Sequence, residues 1–239
     1  MASATTVSKR GILIVIEGLD RSGKSSQCQR LFDRFQSQGR KVRYVKFPDR
    51  STSTGHMINS YLTGQAQQDD HSIHLIFSAN RWEAIKSISL DLLSGIDVIV
   101  DRYSFSGAVY SAAKQNPDLS LEWAWSPEIG LLKPDLLFFF DISSADAAKR
   151  GGYGAERYEK EEMQSRVRTL FKELFARLDG VAVHQVDASR TMEEVAADVL
   201  SIVQGTTEDE TLMSSALHKL GPLLNQRSWR EQGDTAIDG

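Results

Sequence analysis

Gly18-Leu19-Asp20-Arg21-Ser22-Gly23-Lys24-Ser25 meets the pattern G-x-x-x-x-G-K-[ST] at every fixed position, and its flanks restrict the folds that can carry it. Upstream, Ile12-Leu13-Ile14-Val15-Ile16 is an apolar, mostly β-branched run of the kind buried in a parallel sheet. Downstream, Cys28, Leu31, Phe32 and Phe35 recur at i, i+3, i+4 and i+7, one face of a helix. Strand, glycine loop, helix makes a phosphate cradle. Glycines let successive backbone N–H groups turn inward, and the helix N-terminus adds positive potential. Lys24 can then reach β- and γ-phosphates, and the Ser25 hydroxyl can hold Mg²⁺.

The rest of the chain alternates short apolar runs with helical periods. Residues 41–47 (KVRYVKF) read as a second strand, stopped by Pro48, with Arg50 just past its carboxyl end. A short helix through Met57, Ile58 and Leu62 follows, closed by Gly64. Residues 69–94 keep a long helical period in Ile73, Ile76, Phe77, Ala84, Ile85, Ile88 and Leu92, interrupted at Asn80 and Arg81. Residues 97–100 form a third buried strand that runs into Asp101-Arg102-Tyr103. Residues 106–114 are helical, Trp123 and Trp125 are packing residues, and 136–142 (LLFFFDI) form a fourth strand.

Ser143 caps a short helix to Arg150. The glycine-rich stretch after it, flanked by Arg150 and Arg157, reads as a lid over phosphates, with the lid segment at about residues 143–164. Met163, Val167, Leu170, Phe171, Leu174, Phe175 and Leu178 stripe a helix; 181–186 form a fifth strand leading to Arg190; 192–203 form a last amphipathic helix. One α/β domain over residues 10–205 is expected, a five-stranded parallel, doubly wound sheet with helices on both faces. Residues 1–9 read as a disordered lead-in and 206–239 as a helix and a tail, loosely held from 221 onward unless Pro222, Leu223, Leu224 or Trp229 docks.

Bulk properties exclude several classes. A net charge of −4 supplies no basic field for a nucleic acid polymer. Cys28 is the single cysteine, so no internal disulfide forms; it sits on an apolar helix face as core filler and fits a reducing compartment, cytosol or nucleus. No apolar run approaches the roughly 18 residues of a membrane helix, and residues 1–8 lack the apolar core of a secretory signal.

The placement of charge narrows the chemistry. The guanine-reading Asn-Lys-x-Asp pattern is absent, and no Asp-x-x-Gly follows the third strand, which disfavours a GTPase switch. Instead Asp101 and Arg102 stand at a strand's carboxyl end, where ligands bind in open α/β sheets: Asp101 can hold Mg²⁺ through water and Arg102 can fork onto a phosphate. Lys24 and Arg21 at a donor, Arg50 and Arg102 at an acceptor, and Arg150 or Arg157 from a lid suit phosphoryl transfer between two phosphate-bearing ligands. Phe77 and Arg81, four apart, share a face: they either stack on and bond a flat base or are core and solvated flank, and periodicity alone favours the second. Another nucleoside or nucleoside monophosphate kinase, or a non-catalytic ATP-binding protein, remains an alternative.

The same segments resemble the eukaryotic type of thymidylate kinase, the enzymes that convert ATP and dTMP to ADP and dTDP. The resemblance rests on the phosphate loop, Phe47-Pro48-Asp49-Arg50, Phe77-Ser78-Ala79-Asn80-Arg81-Trp82, Asp101-Arg102-Tyr103-Ser104-Phe105-Ser106-Gly107, and the stretch from Ala147 through Glu159, and it covers residues 10–203. It implies that Arg21, Ser22, Gly23, Lys24, Ser25, Ser26, Arg150 and Arg190 bind ATP. It implies that Asp20, Phe47, Arg50, Phe77, Arg81, Arg102, Gly107, Tyr110, Tyr158 and Gln164 bind dTMP. In that assignment Asp20 accepts from the sugar 3′-hydroxyl, Phe77 stacks on thymine, Arg81 bonds its O4 edge, and Tyr110 crowds the 2′ position. Arg21, Lys24, Asp101 and Arg102 carry catalysis, with Ser25 and, through water, Asp101 at Mg²⁺. A homodimer and a cis Phe47–Pro48 bond are implied as well. The resemblance fades after residue 207, and Leu200 stands where some members carry an arginine near adenine.

Overall fold

The computed structural model describes residues 9–150, 158 and 161–225. Five parallel strands form one sheet: β1 (Leu13–Gly18), β2 (Val42–Lys46), β3 (Asp97–Asp101), β4 (Leu136–Asp141) and β5 (Val183–Asp187), in the order β2-β3-β1-β4-β5. The strands with the most apolar sequence are the innermost ones. Every residue of β1 and β3 is buried, whereas the edge strands β2 and β5 bury only Val45 and Val186 and keep the rest partly in water. The chain order reverses on the two sides of β1, so the crevice for a ligand opens at its carboxyl end, where the phosphate loop begins.

Helices pack against the sheet. α1 (Lys24–Ser37) follows the loop directly and buries Gln27, Cys28, Leu31 and Phe35, with Phe32 half-buried at the edge of that face. α2 (Ser53–Leu62) is capped by Thr52 and α3 (Asp70–Leu93) by Asp69, each satisfying orphan N–H groups at a helix start. α4 (Ser104–Ala112) follows β3; α5 (Leu121–Trp125) passes into a short 3₁₀ turn, Ser126–Glu128. Trp125 is core and Trp123 packs against it. Ser143 caps α6 (Ser144–Ala148), then come α7 (Glu161–Ala176), α8 (Met192–Thr207) with a Thr191/Glu194 capping box, and α9 (Glu210–Ser214). The Phe47–Pro48 bond is cis.

Two readings of the sequence need correction. Arg81 is not a solvated flank: it lies on a face of α3 turned into the domain and is 3 % exposed. Nor are residues 221–225 loosely held. α8 runs through Thr207, past the expected boundary at 205, and the chain then folds back as a strap. Lys219 bridges Leu132 antiparallel, Leu220 N donates to Leu131 O at 2.8 Å and Gly130 N to Leu220 O at 2.9 Å. Trp125 Nε1 donates to Gly221 O, and Arg177 and Leu224 exchange two bonds. Buried Arg10 grips Asp135 with a two-pronged fork at 2.7 and 2.8 Å and donates to Ser215 O, fixing the strap's approach. Backbone hydrogen bonds hold this segment, with Leu220 buried and Leu217 and Leu223 partly buried against the core, too few apolar residues for a periodic signal. Trp229 lies outside the described residues.

Candidate active site

The carboxyl ends of β1, β2 and β3 open into one cavity of about 1060 Å³. On one side stands the phosphate loop: Asp20, Arg21, Gly23, Lys24, Ser25 and Ser26. Gly23, at φ +86°, caps α1 in a left-handed turn that a side chain would strain. Across the cavity lie Phe47 and Arg50 after β2, Phe77 and Arg81 of α3, Arg102 after β3, and Gly107 and Tyr110 of α4. Tyr158 and Arg150 complete the wall. Residues from seven separate stretches thus line one space with both anion-binding clusters in it.

The loop side is tightly bonded. Lys24 is buried and donates to Leu19 O at 2.6 Å. Burial, with Arg102 nearby, pulls its ammonium down to a pKa of about 8 against the pull of Asp20, Asp101 and Glu17. Ser25 Oγ donates to Asp101 Oδ2 at 2.5 Å; Tyr44 OH donates to the same oxygen at 3.0 Å, and Lys46 Nζ donates to Ser25 Oγ at 3.1 Å. Asp101 is 1 % exposed, and its Oδ1 has no hydrogen-bond partner among the described residues. A buried carboxylate oxygen beside a hydroxyl at a helix start suits a hydrated cation better than a bare protein interior.

Asp20 ties the loop to the opposite wall. Its carboxylate accepts from Arg102 Nη2, from Tyr110 OH at 3.1 Å and from Gln164 Nε2 at 2.7 Å. Burial alone would raise its pKa; the Arg102 guanidinium and Lys24 outweigh that and hold the carboxyl below its usual range. Gln164 also accepts from Asp20 N and donates to Tyr158 O, tying α7 and Tyr158 to the loop from behind the cavity wall. Arg21 and Arg102 both sit at positive φ, 64° and 65°, a conformation non-glycine residues reach only under constraint. For Arg102 the constraint is visible: its N–H donates to Ile16 O, and Glu17 pins the next turn by accepting from Tyr103 N and Ser106 N at 2.8 and 2.9 Å.

Of the residues expected from the sequence, Arg150 reaches the loop, donating to Arg21 O at 3.1 Å. Ser22, Asp101 and Gln164 lie just behind the cavity surface, bonded to residues on it. Arg190 does not come to the cavity: it turns onto Asp198 of α8, the carboxylate within reach on its own side of the fold. Arg157 and the glycine-rich stretch fall among residues 151–157, outside those described. Sequence reasoning missed Glu17, Tyr44, Lys46 and Glu128. A carboxylate inside an apolar strand was the available signal for Glu17; Glu128 offered none, since its partner Arg81 is 47 positions away.

A phosphate loop at the switch point of a parallel sheet, facing a second set of arginines across one cavity, defines a P-loop phosphotransferase that takes two phosphate-bearing ligands together. The family model for thymidylate kinase matches residues 16–199, and the chain belongs to that family. Among similar proteins, the thymidylate kinase of Schizosaccharomyces pombe is 48 % identical over 205 residues, 85 % of this chain and 96 % of that one. The thymidylate kinase of Danio rerio is 46 % identical over 80 % of this chain and 89 % of its own, and that of Homo sapiens 44 % identical over the same shares. Among solved structures, thymidylate kinase from Candida albicans superposes with a TM-score of 0.75 at 34 % identity, over 91 % of this chain and all of that one.

Proposed function

We propose that this one cavity performs γ-phosphoryl transfer from ATP to dTMP, giving ADP and dTDP. The reaction follows from membership of the family; the observation that carries it here is the shared cavity, with Lys24 and Arg21 on one side and Arg50 and Arg102 on the other. In this reading Arg50 and Arg102 grip the dTMP phosphate, Phe77 stacks on thymine, Arg81 bonds its O4 edge, and Asp20 takes the 3′-hydroxyl. A phosphate oxygen attacks in line. It is already anionic, so no general base is needed, and positioning with electrostatics does the work. Lys24 and Arg21 stabilise the moving group.

The donor set fits a magnesium ion: we assign Ser25 as its direct holder and Asp101, through Oδ1, as its holder through water. Bound with ATP, the ion would draw charge off the β- and γ-phosphate oxygens. We assign residues 143–164 as the lid, for which the reach of Arg150 to the loop speaks.

Two further assignments concern the whole protein. A homodimer is supported by α3, whose outer face leaves Leu75, Trp82, Leu90 and Leu93 exposed beside Ile129. No helix among the described residues is long and apolar enough to cross a membrane, and we place the enzyme in the cytosol or nucleus.

The test is an ADP-release assay across dTMP, dUMP, dGMP, AMP and thymidine. Turnover highest with dTMP is expected; preference for a purine monophosphate overturns the reading.

A further inference from the structure

Arg81 is already held in place by the protein itself. Its guanidinium gives two N–H groups to one carboxylate: Nε donates to Glu128 Oε2 at 2.7 Å and Nη2 to Glu128 Oε1 at 2.5 Å. The pair is closed to solvent, at 3 % and 0 % exposure. Arg81 nonetheless lines the cavity, and its Nη1 makes no hydrogen bond among the described residues. Gly107 lies against the same group. A Cβ there would overlap Nη2 and stand 2.8 Å from Cζ and Nη1, so only bare backbone lets the guanidinium lie where it does.

Glu128 is itself fixed. It ends the 3₁₀ turn, whose Pro127 carbonyl accepts from Ser78 Oγ at 3.2 Å and Trp82 Nε1 at 2.8 Å, both on the helix that carries Arg81. From the other side the strap holds Gly130 and Leu131 through Leu220, and Trp125 through Gly221. Glu128 therefore has one position, and its fork gives Arg81 one orientation.

A guanidinium carries five donors and no acceptor. Held with Nε and one edge of Nη2 occupied, it presents the cavity a donor-only edge that cannot turn away. Such an edge welcomes a carbonyl oxygen and meets an amino group donor to donor, which leaves buried N–H groups unpaired. A mobile arginine could swing aside and tolerate the amino group. We propose that Glu128 is the positioning residue for base selection: by locking Arg81 it makes the acceptor site read a keto oxygen, and refuse an amino group, at position 4 of the pyrimidine. This rests on the acceptor half of the cavity being the dTMP site.

The experiment compares kcat/KM for dTMP with that for 5-methyl-dCMP, the analogue with an amino group in place of O4. The wild-type enzyme is expected to prefer dTMP by at least about a hundredfold, as sites that pair a buried polar group discriminate. Glu128→Gln loosens the fork and leaves Arg81 without its counter-charge; Glu128→Asp keeps the charge, and with it the fold, but shortens the arm. In both, the preference should fall by about tenfold or more and KM for dTMP should rise, with KM for ATP within about twofold. In an Arg81→Ala background, Glu128→Gln should change the preference no further, because Glu128 acts through Arg81. A folded Glu128→Asp enzyme with wild-type preference overturns the role of Glu128 while leaving the dTMP reading intact. A wild-type enzyme that turns over dTMP without the preference overturns the base-selection role and leaves the dTMP reading intact; one that does not turn over dTMP overturns both.

Discussion

Asp20 and Lys24 show how much of the site depends on single groups in the loop. Asp20 belongs to the phosphate loop, yet its carboxylate bonds Arg102, Tyr110 and Gln164, which places it at the proposed meeting of donor and acceptor. Asp20→Asn would turn an N–H toward Arg102, and KM for dTMP should rise about tenfold or more, the cost of a charged hydrogen bond, while KM for ATP stays nearly constant. Steady-state kinetics with each substrate varied checks the split. Lys24 carries a pH signature. With its ammonium brought down to about 8, it loses its proton in the free enzyme as pH rises through that value, and kcat/KM for ATP should fall above about pH 8. Bound phosphates favour the charged form, so kcat itself should stay level to higher pH. A flat kcat/KM profile from pH 7 to 9.5 would contradict this. Lys24 was legible because its function fixes its spacing from Gly18 and Gly23. Glu17 was not: its partners Tyr103 and Ser106 stand 86 and 89 residues away, and no local pattern links them.

At the scale of elements, the strands and helices were legible where their burial is one-sided or complete. The apolar runs of β1, β3 and β4 and the stripe of α1 read directly, because each period matches its exposure. α3 read correctly as one long helix, but the roles of its faces did not, because it has three of them. One face packs on the domain through Ile73, Ile88 and Leu92, another carries Phe77 and Arg81 to the cavity, and its outer face keeps Leu90 and Leu93 in water. Helical periodicity cannot separate three such faces. The strap was illegible for the opposite reason: it is held by backbone hydrogen bonds, which any sequence can make. Its stability contribution can be measured. Leu220→Ala should lower the unfolding free energy by about 2 to 3 kcal/mol in urea titrations, as for a buried core leucine. A loosely held tail would give less than about 0.5 kcal/mol.

Over the whole molecule, the sheet order brings residues between Asp20 and Tyr158 to one opening, and the exposed side of α3 leaves an apolar face to cover. Leu90→Glu placed there should convert a dimer to a monomer in sedimentation runs; a wild-type enzyme that sediments as a monomer would refute the dimer. The sequence separates these two levels. The order of strands and helices followed from alternating patterns, and the cavity from motifs at strand ends, but the proposed pairing of one copy with another would leave only scattered leucines that look like surface. The central claim is that one cavity moves a phosphoryl group from ATP directly to dTMP, with Arg21 on the group in flight. Phosphorus NMR of a mixture of enzyme, Mg²⁺, ATP and dTMP follows this transfer atom by atom. The account predicts that the dTMP signal is replaced by that of dTDP in step with ADP formation. With Arg21→Ala the conversion should slow by about a hundredfold or more, while ATP still binds. ATP loss with release of free phosphate and unchanged dTMP, or an Arg21→Ala enzyme at full speed, would contradict it.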